Sequence, residues 1–163
     1  MELNVRDLAE RLLPLSPDGD IDALLRQLRH WTISGMLQTS GELHTGAGRS
    51  RKYDETEIYY AALAMELTRW RIPVGIGDLI MQMARDDNAF TAKTEKGSTF
   101  TRAVAGTEDI FFCIRLGTRR ADAELVSGEL TSLASAMKKH RWTADFPSFI
   151  AINLTTLFTP LRT

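Results

Sequence analysis

The sequence predicts an α+β protein, with a helical N-terminal part followed by a small C-terminal part that contains an antiparallel sheet. Two observations lead to this prediction. Apolar residues recur at helical spacing through most of the chain up to residue 86. Beyond an acidic run at 86–88, the apolar segments are short, rich in β-branched and aromatic residues, and separated by turn residues. The chain of 163 residues, 44% of them apolar, is long enough for two small domains, which we place at 1–86 and 87–163.

Two helices open the N-terminal part. The first spans residues 3–13 and is ended by Pro14. Asp20 can accept a backbone N–H bond at the start of the second helix, which spans residues 21–34 and ends at Gly35. The apolar stripe of this second helix consists of Ile21, Leu24, Leu25, Leu28, Trp31 and Ile33. The polar residues between them are therefore expected to face solvent.

A hairpin with basic residues is predicted after the second helix. Residues 36–38 begin its first strand, the small and polar residues 39–48 form a flexible tip, and residues 49–53 form the return strand. Acidic residues at 54–57 then open a third helix, because negative charge stabilises the positive end of a helix dipole. That helix ends near residues 70–72, and Pro73 begins a short fourth helix over residues 74–83.

The C-terminal part is predicted to contain a sheet and one helix. Strands at 90–93, 99–104 and 110–116 would form an antiparallel meander, and a further short strand is predicted at 123–126. A helix over 130–140 and a strand over 149–154 follow. The apolar residues expected to form the core of this part, or in part to line a pocket, are Phe100, Phe111, Phe112, Phe149 and Ile152.

Basic charge is concentrated in the second helix and the hairpin. From Arg26 to Lys52 there are five basic residues and one acidic residue, Glu42, which gives this stretch a net charge of +4, whereas the whole chain carries −1. A winged helix-turn-helix protein holds DNA by placing a helix in the major groove and a basic hairpin against the adjacent backbone. The candidate DNA contacts are Arg26, Gln27, Arg29 and His30 on the helix and Arg49, Ser50, Arg51, Lys52 and Tyr53 on the hairpin.

Several of these residues have a structural alternative. Alternation along a strand places Arg51 and Lys52 on opposite faces, so that one of them can pair with an acid instead. Tyr53 either bonds a phosphate or packs against the next helix, and His30 either bonds a phosphate or packs its ring. The other aromatic residues of this part are expected to pack inside it, namely Trp31, Tyr59, Tyr60 and Trp70.

Motifs of other protein classes are missing from the sequence. Cys113 is the only cysteine and lies in an apolar run, so we expect a buried thiol and no disulfide framework. His44 and His140 are isolated from other metal-binding residues, and no P-loop or dinucleotide fingerprint occurs. We therefore expect no enzyme activity, no cofactor and no metal. No apolar run is long enough to span a bilayer and the N-terminus is charged, so we expect a cytoplasmic, nucleoid-associated protein.

The N-terminal motifs, taken in order and spacing, resemble the DNA-binding domain of the MerR family over about residues 2–83. The matching segments are Leu28-Arg29-His30-Trp31, Gly35-Met36-Leu37, Arg51-Lys52-Tyr53, the acidic helix start at 54–58 and the helix pair at 67–80. This sequence departs from the family pattern where His30 and Trp31 replace two tyrosines and Arg71 replaces a glycine. The turn between the first two helices is also longer, with two prolines and a glycine, so base contacts of the family from that turn are not carried over. The cysteines of the metal-sensing members are absent, and β-like segments stand where the family's long dimerising helix would begin.

The resemblance implies a bacterial transcriptional regulator that binds double-stranded DNA sequence-specifically. Two copies would act as a homodimer on a palindromic or repeated operator, since a single module contacts too little DNA for tight binding. The C-terminal part would then dimerise or sense a small-molecule or protein effector. Two alternatives are an excisionase-like architectural DNA-binding factor and a protein-interaction module without DNA binding, whose C-terminal sheet pairs with a partner.

Overall fold

The computed structural model describes residues 2–41, 50–91, 98–116, 121–127 and 148–162. Helices and small antiparallel sheets are both present, as expected for an α+β protein. The chain divides into two compact units, residues 1–78 and residues 79–162. The division falls within one continuous helix, α4 (Val74–Thr91).

The first unit is built from three helices and a two-stranded sheet. In chain order these are β1 (Glu2–Asn4), α1 (Val5–Leu12), a 3-10 turn (Leu13–Leu15), α2 (Ile21–Ile33), β2 (Lys52–Asp54) and α3 (Glu57–Arg69), followed by the start of α4. Strands β1 and β2 are antiparallel, with Leu3 opposite Tyr53. The first two residues of the predicted N-terminal helix, Leu3 and Asn4, therefore belong to a strand, and the helix starts at Val5.

Side-chain caps fix where α1 and α2 begin. The Asn4 side chain accepts hydrogen bonds from the amides of Arg6 and Asp7, and the Asp7 carboxylate accepts one from the Asn4 amide, which is a capping box. Asp20 accepts hydrogen bonds from the two amides that follow Ile21, which confirms it as the cap of α2. The core between the helices is apolar and contains Leu8, Leu12, Leu24, Leu28, Trp31, Ile58, Leu63 and Leu67.

The segment after α2 does not form the predicted first strand of a hairpin. Met36 and Leu37 are buried in the core, and the Leu37 amide donates to the Trp31 carbonyl, so the segment closes the end of the helix. Strand β2 pairs with β1 instead. Between the segment after α2 and β2, the one backbone hydrogen bond among the described residues runs from the Ser40 amide to the Lys52 carbonyl, at 2.9 Å. Gly35 ends α2 with φ of 90°, as predicted.

Helix α4 is longer than the sequence predicted. It runs to Thr91 rather than to residue 83, so the predicted strand at 90–93 is wrong at 90–91, and residues 92–93 lie outside the described residues. No glycine or proline follows Gly77 until residue 97, and the acidic run therefore continues the helix. Within it, the Gln82 side chain donates to the Asp86 carboxylate one turn later, at 3.0 Å.

The described residues of the second unit form a three-stranded antiparallel sheet with short helices. After the end of α4 it contains α5 (Thr99–Ala105), β3 (Ile110–Leu116), β4 (Ala121–Ser127), β5 (Ser148–Asn153), α6 (Leu154–Phe158) and a 3-10 turn (Thr159–Leu161). The strand order is β4-β3-β5, with Phe112 opposite Leu125 on one side and Ile152 on the other. Residues 110–114 are all buried because β3 is the central strand and α5 and α6 contact it.

The strands predicted at 110–116 and 123–126 are confirmed, and the one predicted at 149–154 is confirmed except at Leu154, which begins α6. The strand predicted at 99–104 is wrong. That segment is α5, because the Ser98 hydroxyl accepts from the Thr101 amide and Gly106, with φ of 72°, ends the helix. The predicted helix at 130–140 and the side chain of Phe149 lie outside the described residues. The remaining predicted core residues are buried, namely Phe100, Phe111, Phe112, Ile152 and the thiol of Cys113.

Candidate nucleic-acid interface

One side of α2 is buried and the other is polar and exposed. The buried side chains, Leu24, Leu28, Trp31 and Thr32, recur at the spacing of one helical face. The opposite face carries the exposed side chains of Asp22, Arg26, Arg29, His30 and Ile33. The predicted contacts Arg26, Arg29 and His30 are therefore accessible to a ligand, and Trp31 belongs to the core as expected.

Ile33 and Trp70 differ from their predicted positions. Ile33 was placed on the apolar stripe, but it is 63% exposed because it lies half a helical turn away from the direction of Leu24. Trp70 was expected to pack, but it follows α3 and is 55% exposed, with its ring nitrogen donating to the Glu66 carboxylate at 3.1 Å. Tyr60 is buried and Tyr59 is half-buried, as expected.

The second group of predicted contacts lies on and before β2. Ser50 and Lys52 are exposed, and Arg51 is half-buried on the same side of the strand as Tyr53. This alternation matches the expected separation of Arg51 from Lys52. Arg49 lies outside the described residues. The exposed cation of this strand is therefore Lys52.

Tyr53 is not available to a phosphate. It is fully buried, and its hydroxyl lies 2.9 Å from the hydroxyl of Thr32 in α2. Thr32 donates its single hydroxyl hydrogen to the Leu28 carbonyl, at 2.8 Å, so Tyr53 donates to Thr32. The predicted phosphate contact of Tyr53 is replaced by a buried hydrogen bond, which joins β2 directly to the helix that carries Arg29.

Glu57 makes a second connection that the sequence did not reveal. Its side chain is nearly buried, and one carboxylate oxygen accepts a hydrogen bond from the Gln38 amide at 3.0 Å. From the sequence it was explained only as an acid that stabilises the start of α3. In the fold it also fixes the chain that leaves α2. No local signal distinguishes it, because Glu57 directly follows Asp54, Glu55 and Thr56 and looks like the last residue of an exposed acidic run.

Charge is distributed unevenly along the exposed face of α2. Neither Arg29 nor Lys52 forms an ion pair with any residue that the structure describes. At the helix start, by contrast, Asp18, Asp20 and Asp22 are exposed. The hydrogen bond that the Asp20 carboxylate accepts from the Ala23 amide is the main cause that lowers the pKa of Asp20 from its ordinary value. The hydrogen bond from the Asp22 amide and the charge of Arg26 lower this pKa further. A polyanion would therefore approach the C-terminal half of α2, away from these carboxylates.

A cleft of about 200 Å³ lies beside this face. Gln27, the remaining predicted contact, is half-buried and lines it together with Asp18, Asp20 and Arg69. Arg69 is held in place by the Glu66 carboxylate and by the Leu15 carbonyl. Gln27 thus contributes to the cleft beside the turn between α1 and α2, whereas Arg26, Arg29 and His30 are exposed.

Metal binding and membrane insertion both depend on how the described residues are arranged. Among them, no group of three histidine, cysteine or carboxylate side chains is close enough together to hold a metal ion. No helix in the described part of the chain combines the length and the apolar character needed to cross a lipid bilayer. The chain matches no protein-family model and no curated protein.

Proposed function

We propose that this protein is a winged helix-turn-helix regulator that binds double-stranded DNA sequence-specifically, as a homodimer on a palindromic or repeated operator. The observation that carries the proposal is that a helix and a strand, each with an exposed basic side chain, are joined by a buried hydrogen bond. Arg29 on α2 and Lys52 on β2 are both accessible, and the buried Tyr53–Thr32 hydrogen bond joins the elements that bear them. In the proposal, helix and strand engage one DNA surface, and the buried bond keeps the two elements ordered before DNA binds.

In this proposal α2 enters the major groove with the face that carries Arg26, Arg29 and His30 toward the bases. Guanidinium groups suit this position, because they donate two hydrogen bonds to the O6 and N7 atoms of guanine or to a phosphate. Arg26 and Arg29 take these roles and His30 lies at the edge of the same face. Lys52, the exposed cation of β2, contacts the sugar-phosphate backbone.

The backbone at Arg71 also supports the proposed fold. Arg71 replaces a glycine of the MerR-like pattern, and it adopts φ of 56°, a conformation that glycine favours. The correspondence lies at the end of α3, outside the two segments proposed to contact DNA. It therefore supports the register of the resemblance independently of the basic residues.

The test is selection of bound sequences from random and genomic DNA pools at two salt concentrations. We expect an enriched motif with dyad or direct-repeat symmetry. Arg29→Ala should weaken binding to that motif by about 1–3 kcal/mol, and Lys52→Ala should weaken all sequences about equally. Arg6→Ala is the matched control, since it removes the same charge from an exposed arginine of α1 that is paired with Glu10.

Three outcomes would contradict the proposal. If Arg29→Ala and Arg6→Ala behave alike at matched salt, α2 is not the recognition helix. If the folded protein binds DNA weakly and without an enriched motif, the architectural alternative is favoured. If it binds no DNA at all, the protein is not a regulator of this kind.

A protein-interaction module is the second candidate. It is favoured by exposed apolar side chains at the corner between α3 and α4, where Trp70 is 55% exposed, Ile76 38% and Val74 37%. Exposed apolar residues that cluster on a surface mark interaction sites more often than isolated ones do. Substituting Trp70 by serine would then abolish partner binding, whereas Arg29→Ala would leave it intact.

A further inference from the structure

Ile33 is an apolar side chain that the core of the first unit does not use. It is the last residue of α2 and is 63% exposed, more than any other large apolar side chain among the residues whose burial is described. At about 100° per residue, a residue nine positions after Leu24 points to the opposite side of the helix. The position therefore contributes little to folding, and its side chain is presented to solvent.

Ile33 lies on the same face as the two arginines. It follows Arg29 by four residues and Arg26 by seven, which is the spacing of neighbours along one side of a helix. All three side chains are exposed. The face is thus cationic along two turns and apolar at its end, next to the residues that would contact a polyanion.

The chemistry of the major groove offers one partner for such an apolar end. The base edges present hydrogen-bond donors and acceptors and a single apolar group, the C5 methyl of thymine. We infer that Ile33 is a specificity-determining residue that packs against a thymine methyl, so that the operator carries a thymine beside the bases or phosphates contacted by Arg29. This inference rests on the proposed function, because it requires α2 to lie in the major groove.

The experiment replaces thymine by deoxyuridine, one position at a time, in the operator obtained by selection. This change removes only the methyl group and leaves base pairing intact. The wild-type protein should lose about fourfold in affinity at one or two positions, the amount expected for one methyl group withdrawn from water. Ile33→Ala should bind the thymine operator less tightly and should show no further loss with deoxyuridine at those positions.

Arg29→Ala is the matched control for this experiment. It should bind both operators more weakly and keep the wild-type ratio between thymine and deoxyuridine. Ile33→Val, which retains branched methyl groups, should preserve most of that ratio. Because Ile33 is exposed, the thermal midpoint of Ile33→Ala should equal that of the wild type, so a weaker complex cannot be attributed to unfolding.

The failure of this inference differs from the failure of the proposed function. A wild-type protein that selects an operator but tolerates deoxyuridine at every position overturns the role of Ile33 and leaves the regulator intact. The same holds if Ile33→Ala retains the wild-type ratio, or if it changes the association state and leaves the ratio unaltered. A folded wild-type protein that selects no operator overturns the proposed function itself.

Discussion

Arg71 adopts a backbone conformation that an L-residue rarely occupies. Its φ of 56° is the only positive value among the described non-glycine residues. The Arg71 amide donates to the Thr68 carbonyl and the Ile72 amide to the Leu67 carbonyl, at 2.8 and 3.0 Å, which is the pattern of a Schellman end for α3. The left-handed conformation costs an L-residue about 1–2 kcal/mol.

Arg71→Gly should therefore stabilise the protein, even though glycine gives the unfolded chain more freedom. We expect a net gain of about 0.5–1 kcal/mol in the free energy of unfolding, measured by denaturant titration. Arg71→Ala is the control, because it removes the same side chain but keeps the strained conformation. An equal gain in both variants would show that the arginine side chain, and not the backbone, is responsible.

The Tyr53–Thr32 pair makes an asymmetric prediction. Tyr53→Phe removes the donor and leaves Thr32 bonded to Leu28, so we expect a loss of about 0.5–1.5 kcal/mol. Thr32→Val removes the acceptor and leaves a buried phenol hydroxyl unpaired, so its loss should be larger, about 1–3 kcal/mol. The double variant should lose less than the sum of the two.

Denaturant titration of the three variants checks this double-mutant cycle. Additive losses would mean that the two hydroxyls are independently solvated and do not join β2 to α2. The sequence could not give this bond, because residues 32 and 53 are distant in the chain and a tyrosine at the end of a strand suits either a surface or a core. By contrast, the exposure of Arg26 and Arg29 was predictable, because it follows from local helical periodicity alone.

At the scale of elements, two aspartates of the first unit accept backbone hydrogen bonds near a helix start, Asp20 as the cap of α2 and Asp54 in the turn before α3. The pKa of Asp20 is lowered mainly by the Ala23 amide, and that of Asp54 mainly by the Thr56 amide, with the Thr56 hydroxyl adding to it. A carboxyl with a lowered pKa in the folded state stabilises it fully above the ordinary value of 3.8. That contribution is lost as the pH falls through the lowered pKa.

Asp20→Asn should weaken this part of the acid dependence, because asparagine caps a helix without titrating. We expect thermal midpoints of wild type and variant to run parallel from neutral pH down to the ordinary aspartate value. Below it, the midpoint of the wild type should fall more steeply. Melts followed by circular dichroism across the acid range test this, and identical slopes would show that the Asp20 carboxylate does not contribute.

The end of α2 is formed by a glycine whose conformation and surroundings disfavour any side chain. Gly35 has φ of 90°, and an added Cβ would lie 3.0 Å from an Asp78 carboxylate oxygen. Gly35→Ala should therefore destabilise the protein by about 1–2 kcal/mol. Gly75→Ala is the control, because Gly75 lies in the first turn of α4 with nothing within 4 Å, and it should be neutral or stabilising by up to about 1 kcal/mol. Equal effects in denaturant titration would contradict this account.

Local signals of this kind explain which elements the sequence predicts well. Helix α2 has a capping aspartate, a periodic apolar face and a terminal glycine, and both of its ends fall within one residue of the prediction. Helix α5 was mistaken for a strand, because a short segment of threonine, phenylalanine and valine favours a strand locally. The helix is stabilised instead by the burial of Phe100 and Ala103 and by the Ser98 cap at its start.

The C-terminal end of α5 shows a contact that no local pattern contains. Arg162 donates to the carbonyls of Val104, Ala103 and Thr155, each within 2.8 Å, so a residue distant in sequence caps the helix. The cation also lies at the negative end of the helix dipole. Pairing across such distances is set by the packed second unit, and periodicity within a segment carries no information about it.

For the whole molecule, the sequence gives the order of a helical part and a sheet-containing part, but not where they divide. The prediction put the boundary at an acidic run, whereas the compact units divide at Asp78, within α4. Charge in a run is compatible with an exposed helix as well as with a linker. The composition of a segment therefore indicates whether a unit is helical or contains a sheet better than it indicates the residue at which the unit ends.

The salt dependence of DNA binding can report how many copies of the chain bind one operator. Each phosphate neutralised by a cation contributes about 0.9 to the slope of log affinity against log salt. If Lys52 contacts one phosphate in each protomer, Lys52→Ala should reduce the slope by about 1.8 for a homodimer and by about 0.9 for a monomer. Titrations at several salt concentrations, with sedimentation of the same complexes, measure both quantities.

Arg6→Ala should leave the slope unchanged, since Arg6 lies on α1 and is paired with Glu10. A reduction near 0.9 together with a complex containing one protomer would contradict the proposed homodimer and leave the DNA contact of Lys52 in place. An unchanged slope in Lys52→Ala would remove β2 from the interface, whatever the stoichiometry. Because the whole chain carries a charge of only −1, the change caused by one exposed lysine should stand out against a small nonspecific contribution.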